Sequence, residues 1–203
     1  MSKIQTIIHT LIRFMLSFFK KRKAEPEHVP FEIHNVITEL PWHESRTWSK
    51  RGMAAIKKIV VHQSLTTYTK TRLSSINNYH ITPGPQNHIS PNGAPHICYH
   101  YGIAGDGKVS HMNHLSSTTW HAKGQNTSSI SILVVGDFDG PTYTGKDGNP
   151  SDEQAVSLKK LLNYLMDYET LSLTPQDVYC HNDFGKENCP GNYITDVIKT
   201  YKS

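Results

Sequence analysis

The chain has 203 residues, with 21 Lys and Arg against 17 Asp and Glu, 13 His and 3 Cys. That length suits one domain with a sizeable core plus a tail, and three cysteines do not suggest a disulfide framework. The net charge of +4 is concentrated at one end: residues 1–24 hold Lys3, Arg13, Lys20, Lys21, Arg22 and Lys23 and no acid, so the other fifteen cations face seventeen acids and give no reason to expect nucleic-acid binding by the body.

Residues 4–19 (IQTIIHTLIRFMLSFF) place apolar side chains at helical spacing, and Lys20–Lys23 follow. We read residues 1–24 as an amphipathic basic helix that lies on an anionic membrane surface or docks on a partner such as a virion protein. A signal peptide fits less well, because His9 and Arg13 interrupt the apolar core and no small-residue cleavage site is clear. A spanning helix needs about twenty apolar residues. Residues 25–54, Pro-containing and irregular, read as a linker and N-terminal arm, with Trp42 and Trp48 anchoring it to a domain over 55–203.

Ile59-Val-Val-His62 is a short apolar run suited to a central strand buried on both faces. Thr69 to Ile81 reads as a helix with Leu73, Ile76 and Tyr79 on one side, ended by Thr82-Pro-Gly-Pro. Gly105-Asp-Gly107 marks a tight hairpin between HICYHYGIA and KVSHMN, and alternation there puts Tyr99 and Tyr101 on one face, Cys98 and His100 on the other. Another strand is expected in SISILVVGDF (129–138). Ser151-Asp-Glu-Gln154 has the pattern of a capping box ahead of a leucine-rich helix. A short strand, Val178 to His181, precedes a last helix with Pro190 in its first turn, running to about Lys202. The expected fold is α/β (α+β): a central mixed β-sheet flanked by helices in three layers. Cys98 and Cys180 are expected as buried free thiols, and His28, His34, His43, His88 and His96 as solvated surface.

The chemistry lies in three side chains. His62 ends an apolar strand, His181 ends another, and Cys189 follows eight residues later just before Pro-Gly. Two imidazoles and a thiolate leave the fourth corner of a tetrahedron for water, which is the arrangement a catalytic zinc requires.

At these residues the chain resembles the peptidoglycan amidases that include T7-type phage lysozymes and the peptidoglycan recognition proteins. The matching segments run in order: VVHQS (60–64), the Asn- and Tyr-rich helix, ICYHYGIAGDGKV (97–109), Trp120-His121-Ala122 with Asn126, SISILVVGDF, and H-x7-C-P-G (181–191). The resemblance covers about residues 55–203. It implies a zinc-dependent N-acetylmuramoyl-L-alanine amidase that cleaves the amide between N-acetylmuramic acid and L-alanine in bacterial peptidoglycan. It further implies His62, His181 and Cys189 as metal ligands, Tyr99 as an active-site residue, and Trp120, His121 and Asn126 lining the substrate groove. The chain departs at Glu187, where relatives carry lysine or threonine, and at Leu133, where many carry glutamate. Glu187 and its neighbour Lys186 are therefore the candidates, with Tyr99, for proton transfer or oxyanion support. Two other readings remain: a wall-binding module that does not cleave, and a structural component of a phage particle. As an enzyme it would act on the cell wall as an endolysin, a virion-associated lysin or a bacterial envelope autolysin.

Overall fold

The computed structural model describes residues 31–139 and 147–203; the basic helix expected over 1–24 lies outside them. Six strands form one sheet: β1 (Ile33–Asn35), β2 (Lys58–Gln63), β3 (Tyr101–Ile103), β4 (Val109–His111), β5 (Ser129–Val134) and β6 (Val178–Cys180). Their spatial order is β1-β4-β3-β5-β2-β6, with only the β3–β4 hairpin antiparallel. Among the described residues three α-helices accompany the sheet: α1 (Leu73–Ile81), α2 (Asp152–Met166) and α3 (Asn192–Lys202). The mixed sheet flanked by helices is thus the expected architecture.

Ile59, Val60 and Val61 are fully buried because β2 is flanked by β5 and β6 and covered on both faces. Tyr101 and Gly102 point to opposite faces of β3. Tyr101 borders a cavity with Tyr164 of α2, whereas a Cβ on Gly102 would stand 2.8 Å from Leu73 Cδ2 of α1. The helices therefore cover the sheet from both sides. In α2 the capping box forms as predicted: Ser151 Oγ accepts from Gln154 N at 3.0 Å, and Gln154 Oε1 accepts from Ser151 N at 3.1 Å. Leu158, Leu161, Leu162 and Leu165 of this helix are fully buried. Trp48 anchors the arm as expected, buried with Nε1 donating to Asn113 Oδ1 at 2.8 Å, and the three cysteines are free.

Several elements differ from expectation. The strand expected from residue 96 begins only at Tyr101, because side chains take over its backbone groups. Asn113 Nδ2 donates to the carbonyls of Ile97 and Tyr99, both at 2.7 Å, and His80 Nδ1 accepts from Cys98 N at 3.1 Å. Alternation is lost there, so Tyr99 faces the cleft described below while Tyr101 faces the other cavity. Helix α1 starts four residues late, after a turn in which Thr71 N donates to Thr67 O, and it buries Asn77 and His80 rather than Tyr79. His96 is fully buried, stacked on Trp42 at 4.3 Å and bonded to Asn113, and is not a surface residue. Strand β6 stops at Cys180, His181 opens a 3-10 turn, and Pro190 precedes the N-cap Gly191 instead of entering α3.

Candidate metal centre

Sheet register brings the two histidines together. Strands β2 and β6 are parallel and Val61 pairs with Cys180, so the residues that follow, His62 on β2 and His181 just beyond the end of β6, come side by side. His62 is the penultimate residue of β2 and His181 follows the last residue of β6, so both lie at the carboxyl end of the parallel strands, where open α/β sheets commonly place ligands. Their ring centroids are 4.4 Å apart.

Cys189 returns to this point through a folded loop. The 3-10 turn His181–Phe184 ends at Gly185 with φ 82°, a left-handed conformation that favours glycine. Asn182 N then donates to Cys189 O at 2.6 Å, and Cys189 N donates to Lys186 O at 2.8 Å. Gln63, the last residue of β2, clamps the loop from below: its Nε2 donates to Asn188 O and its Oε1 accepts from Phe138 N at 2.7 Å. Gly191 packs so closely that a Cβ would meet the Phe138 carbonyl carbon at 2.7 Å, and its φ is 89°.

One ligand atom from each of His62, His181 and Cys189 lies within 4.8 Å of the others. Cys189 Sγ stands 3.8 Å from His62 Nδ1. A tetrahedral zinc with Zn–N about 2.0–2.1 Å and Zn–S about 2.3 Å holds nitrogen and sulfur about 3.5 Å apart, so the His62–Cys189 pair stands within a few tenths of an ångström of that spacing, and two imidazoles with a thiol are a donor set that suits zinc. Burial and the neighbouring His181 hold the His62 imidazole well below its usual pKa, and burial with Lys186 nearby lowers His181 to about 4. Both rings are therefore neutral, with a lone pair to offer. Burial raises the Cys189 thiol to about 12, partly opposed by Gln63 N, which donates to its sulfur at 3.4 Å. A bound cation reverses that balance and takes the sulfur as thiolate.

The triad sits in a cleft of about 980 Å³. Tyr99, Trp120, His121, Asn126, Leu133 and Lys186 all border it. The Tyr99 ring lies 5.1 Å from that of His62, and burial, with Cys189 and Cys98 nearby, raises its phenol above the usual range. Trp120 meets Trp48 edge to face at 5.4 Å, with the Arg46 guanidinium 5.2 Å above its ring. Asn126 Oδ1 accepts from the backbone of His121 and Ala122 at 3.0 and 2.8 Å, which shapes the loop. Glu187 is exposed and does not border the cleft, because the turn that brings Lys186 to the wall carries the next residue outward. Lys70, Lys123 and Lys186 border the cleft, and among the described residues no Asp or Glu does.

Three supporting residues carry no motif of their own. Gln63 is the clamp described above. Ser129 hydrogen-bonds to His121 at 3.0 Å. The buried guanidinium of Arg51 donates to the carbonyls of Leu115, Asn126, Thr127 and Ser129 at 2.7–3.1 Å, holding the loop that carries Trp120 and His121. Neither Arg51 nor Ser129 shows periodicity or ligand spacing, so only the basic residue beside Gly52 and the serine opening an apolar run could have drawn notice.

Comparison with known proteins places these features in a family. The family model described as N-acetylmuramoyl-L-alanine amidase matches residues 52–192. Peptidoglycan-recognition protein SC2 of Drosophila simulans is 24% identical over 169 residues, spanning 83% of this chain and 86% of that protein. Peptidoglycan-recognition protein SC1a of Drosophila melanogaster is 26% identical over 146 residues, 69% of this chain and 70% of that one. Among solved structures, the amidase endolysin LysCS of Clostridium intestinale superposes with TM-score 0.60 at 21% identity, covering 83% of this chain and 94% of that one. Peptidoglycan recognition protein-LE, solved with tracheal cytotoxin, superposes with TM-score 0.66 at 18% identity, covering 83% and 92%. With the sheet, the cleft and the His-His-Cys cluster in place, the chain belongs to the N-acetylmuramoyl-L-alanine amidase family.

Proposed function

We propose that this protein is a zinc-dependent amidase that hydrolyses the bond between N-acetylmuramic acid and L-alanine in bacterial peptidoglycan. The observation that carries the proposal is the convergence of His62, His181 and Cys189 within 4.8 Å at the floor of a large cleft. Two neutral imidazoles and a thiolate would leave zinc a net charge of about +1 and one corner free. Zinc held by His62, His181 and Cys189 would supply a lowered pKa, toward about 7, for the attacking water and Lewis acidity for the scissile carbonyl.

The chain's own groups divide the remaining work. Tyr99, whose raised pKa keeps it a phenol, donates a hydrogen bond to the carbonyl oxygen as charge develops there. Lys186, on the cleft wall, presents its ammonium to the same oxygen and takes the role that Glu187 cannot reach. Trp120, His121 and Asn126 shape the wall against which the substrate lies. A cleft bordered by three lysines, and by no Asp or Glu among the described residues, suits an anionic ligand. In this reading residues 1–24 are an address segment for a membrane or virion partner, and the cell wall is the place of action.

One observation favours a second reading, a module that binds wall without cutting it: among the described residues no carboxylate borders the cleft to move a proton. The two are separated by incubating the full chain with purified wall. The amidase reading expects turbidity to fall and new alanine amino termini to appear, with both lost to chelator and restored by zinc. Wall that is bound but yields no amino termini would establish the binding module instead.

A further inference from the structure

We infer that His121 is a positioning residue: with Ser129 and the Gln125 carbonyl it forms a hydrogen-bond relay that fixes His62 in the one tautomer able to bind a metal. This rests on the amidase reading for its purpose but not for its geometry. Four groups stand in line. His62 Nε2 is 3.0 Å from His121 Nδ1, His121 Nε2 is 3.0 Å from Ser129 Oγ, and Ser129 Oγ is 2.7 Å from Gln125 O. His62, His121 and Ser129 are all buried.

The direction of the relay follows from its far end. A backbone carbonyl only accepts, so the single hydroxyl proton of Ser129 goes to Gln125 O. The hydroxyl oxygen is then the acceptor for His121, whose proton must sit on Nε2. A neutral imidazole carries one proton, so His121 Nδ1 has a lone pair and accepts from His62 Nε2. His62 Nδ1 is left bare, and it is this atom that stands 3.8 Å from Cys189 Sγ. Were the relay reversed, His62 would point an N–H at the metal position and could not ligate. The arrangement also orients the His62 ring, since the His62 and His121 planes meet at 90°. Partners of metal-bound histidines are commonly carboxylates or carbonyls. A neutral histidine adds no negative charge, so the centre keeps its full Lewis acidity.

Arg51 supports the relay from behind by donating to Ser129 O at 2.7 Å, and Asn126 holds His121 N. His121 borders the cleft, yet both its ring nitrogens are engaged inside the protein.

The test compares the full chain with His121→Phe, His121→Asn and Ser129→Ala. Phenylalanine fills the volume without an acceptor, whereas asparagine places an oxygen near the position of Nδ1. Zinc affinity, measured by competition with a chromophoric chelator, should fall about 10- to 100-fold in His121→Phe and largely recover in His121→Asn. Ser129→Ala should lie between. Long-range 1H–15N spectra of the zinc-free protein at neutral pH should place the proton on Nε2 of both His62 and His121. Zinc affinity in His121→Phe within twofold of wild type, or a proton on His62 Nδ1, would overturn the inference. If His121→Phe does not fold, the spectra and Ser129→Ala still decide. Failure of the wild-type protein to bind zinc would instead count against the proposed function, leaving the tautomer measurement to judge the relay.

Discussion

Replacing Gln63 with alanine removes a clamp that joins three chain segments below the candidate metal centre. The side chain is 4% exposed; its Oε1 is the acceptor for Phe138 N, and its Nε2 holds Asn188 O beside Cys189. Without it the buried Phe138 N–H loses its partner, a cost of about 1–3 kcal/mol. The space left by the side chain adds ~1 kcal/mol. A loss of about 2–4 kcal/mol in a domain of this size lowers the unfolding midpoint by roughly 5–15 °C, which a thermal melt of the zinc-free protein reads directly. The Cys189 loop, released at Asn188, should also bind zinc about tenfold more weakly or worse. Gln63→Glu separates the two effects: its carboxylate still accepts from Phe138 N but repels Asn188 O. It should therefore recover part of the stability while zinc affinity stays low. A Gln63→Ala protein with wild-type midpoint and wild-type zinc affinity would refute the clamp.

Tyr99→Phe should keep its zinc while turnover of wall falls about 10²–10³-fold, as expected for loss of one donor to a developing oxyanion; full activity with zinc bound would remove Tyr99 from the mechanism. Arg51→Met leaves four carbonyls without their donor and should cost about 3–5 kcal/mol in urea unfolding, with a loss under ~1 kcal/mol contradicting the account. Acid should destabilise the zinc-free domain from about pH 6.5 downward. Burial lowers His80 and His100 to about 3, with His88 and His96 adding to the effect at His80 and Arg51 at His100. Below the unfolded pKa of about 6.5 the unfolded chain therefore binds protons that the folded chain refuses, and stability falls by up to about 1.4 kcal/mol per pH unit for each histidine until about pH 3. Urea midpoints at pH 7, 6 and 5 that do not change would contradict this.

The His62–His181–Cys189 cluster was legible in the sequence because one histidine closes an apolar run, the other follows a short apolar strand, and the cysteine comes eight residues later. Pairing of Val61 with Cys180 converts those strand ends into neighbours, a consequence of parallel register that an apolar run ending in histidine only hints at. The Ser151 capping box was equally visible, since its partners are three residues apart. Long-range side-chain bonds to backbone were not. Asn113 captures the Ile97 and Tyr99 carbonyls and so shortens a strand whose alternation looked sound. His96 sits among prolines that read as surface, yet Trp42, distant in sequence, stacks on it. Gln63, Arg51 and Ser129 act through partners up to 125 residues away or through backbone carbonyls, and none of the three leaves a spacing pattern. Glu187 enters through its place in the family's motif, two residues before Cys189, yet it is exposed and its neighbour Lys186 is the one that borders the cleft.

The central claim is that the two imidazoles and the sulfur hold one ion between them. Metal analysis of the purified full chain, alongside Cys189→Ala and His181→Ala, tests it most directly. The account predicts about one zinc per wild-type chain, removable by chelator and restored on addition, with most of it lost in either variant. A wild-type protein that takes up no zinc, or a Cys189→Ala protein that holds it as tightly as wild type, would contradict the account.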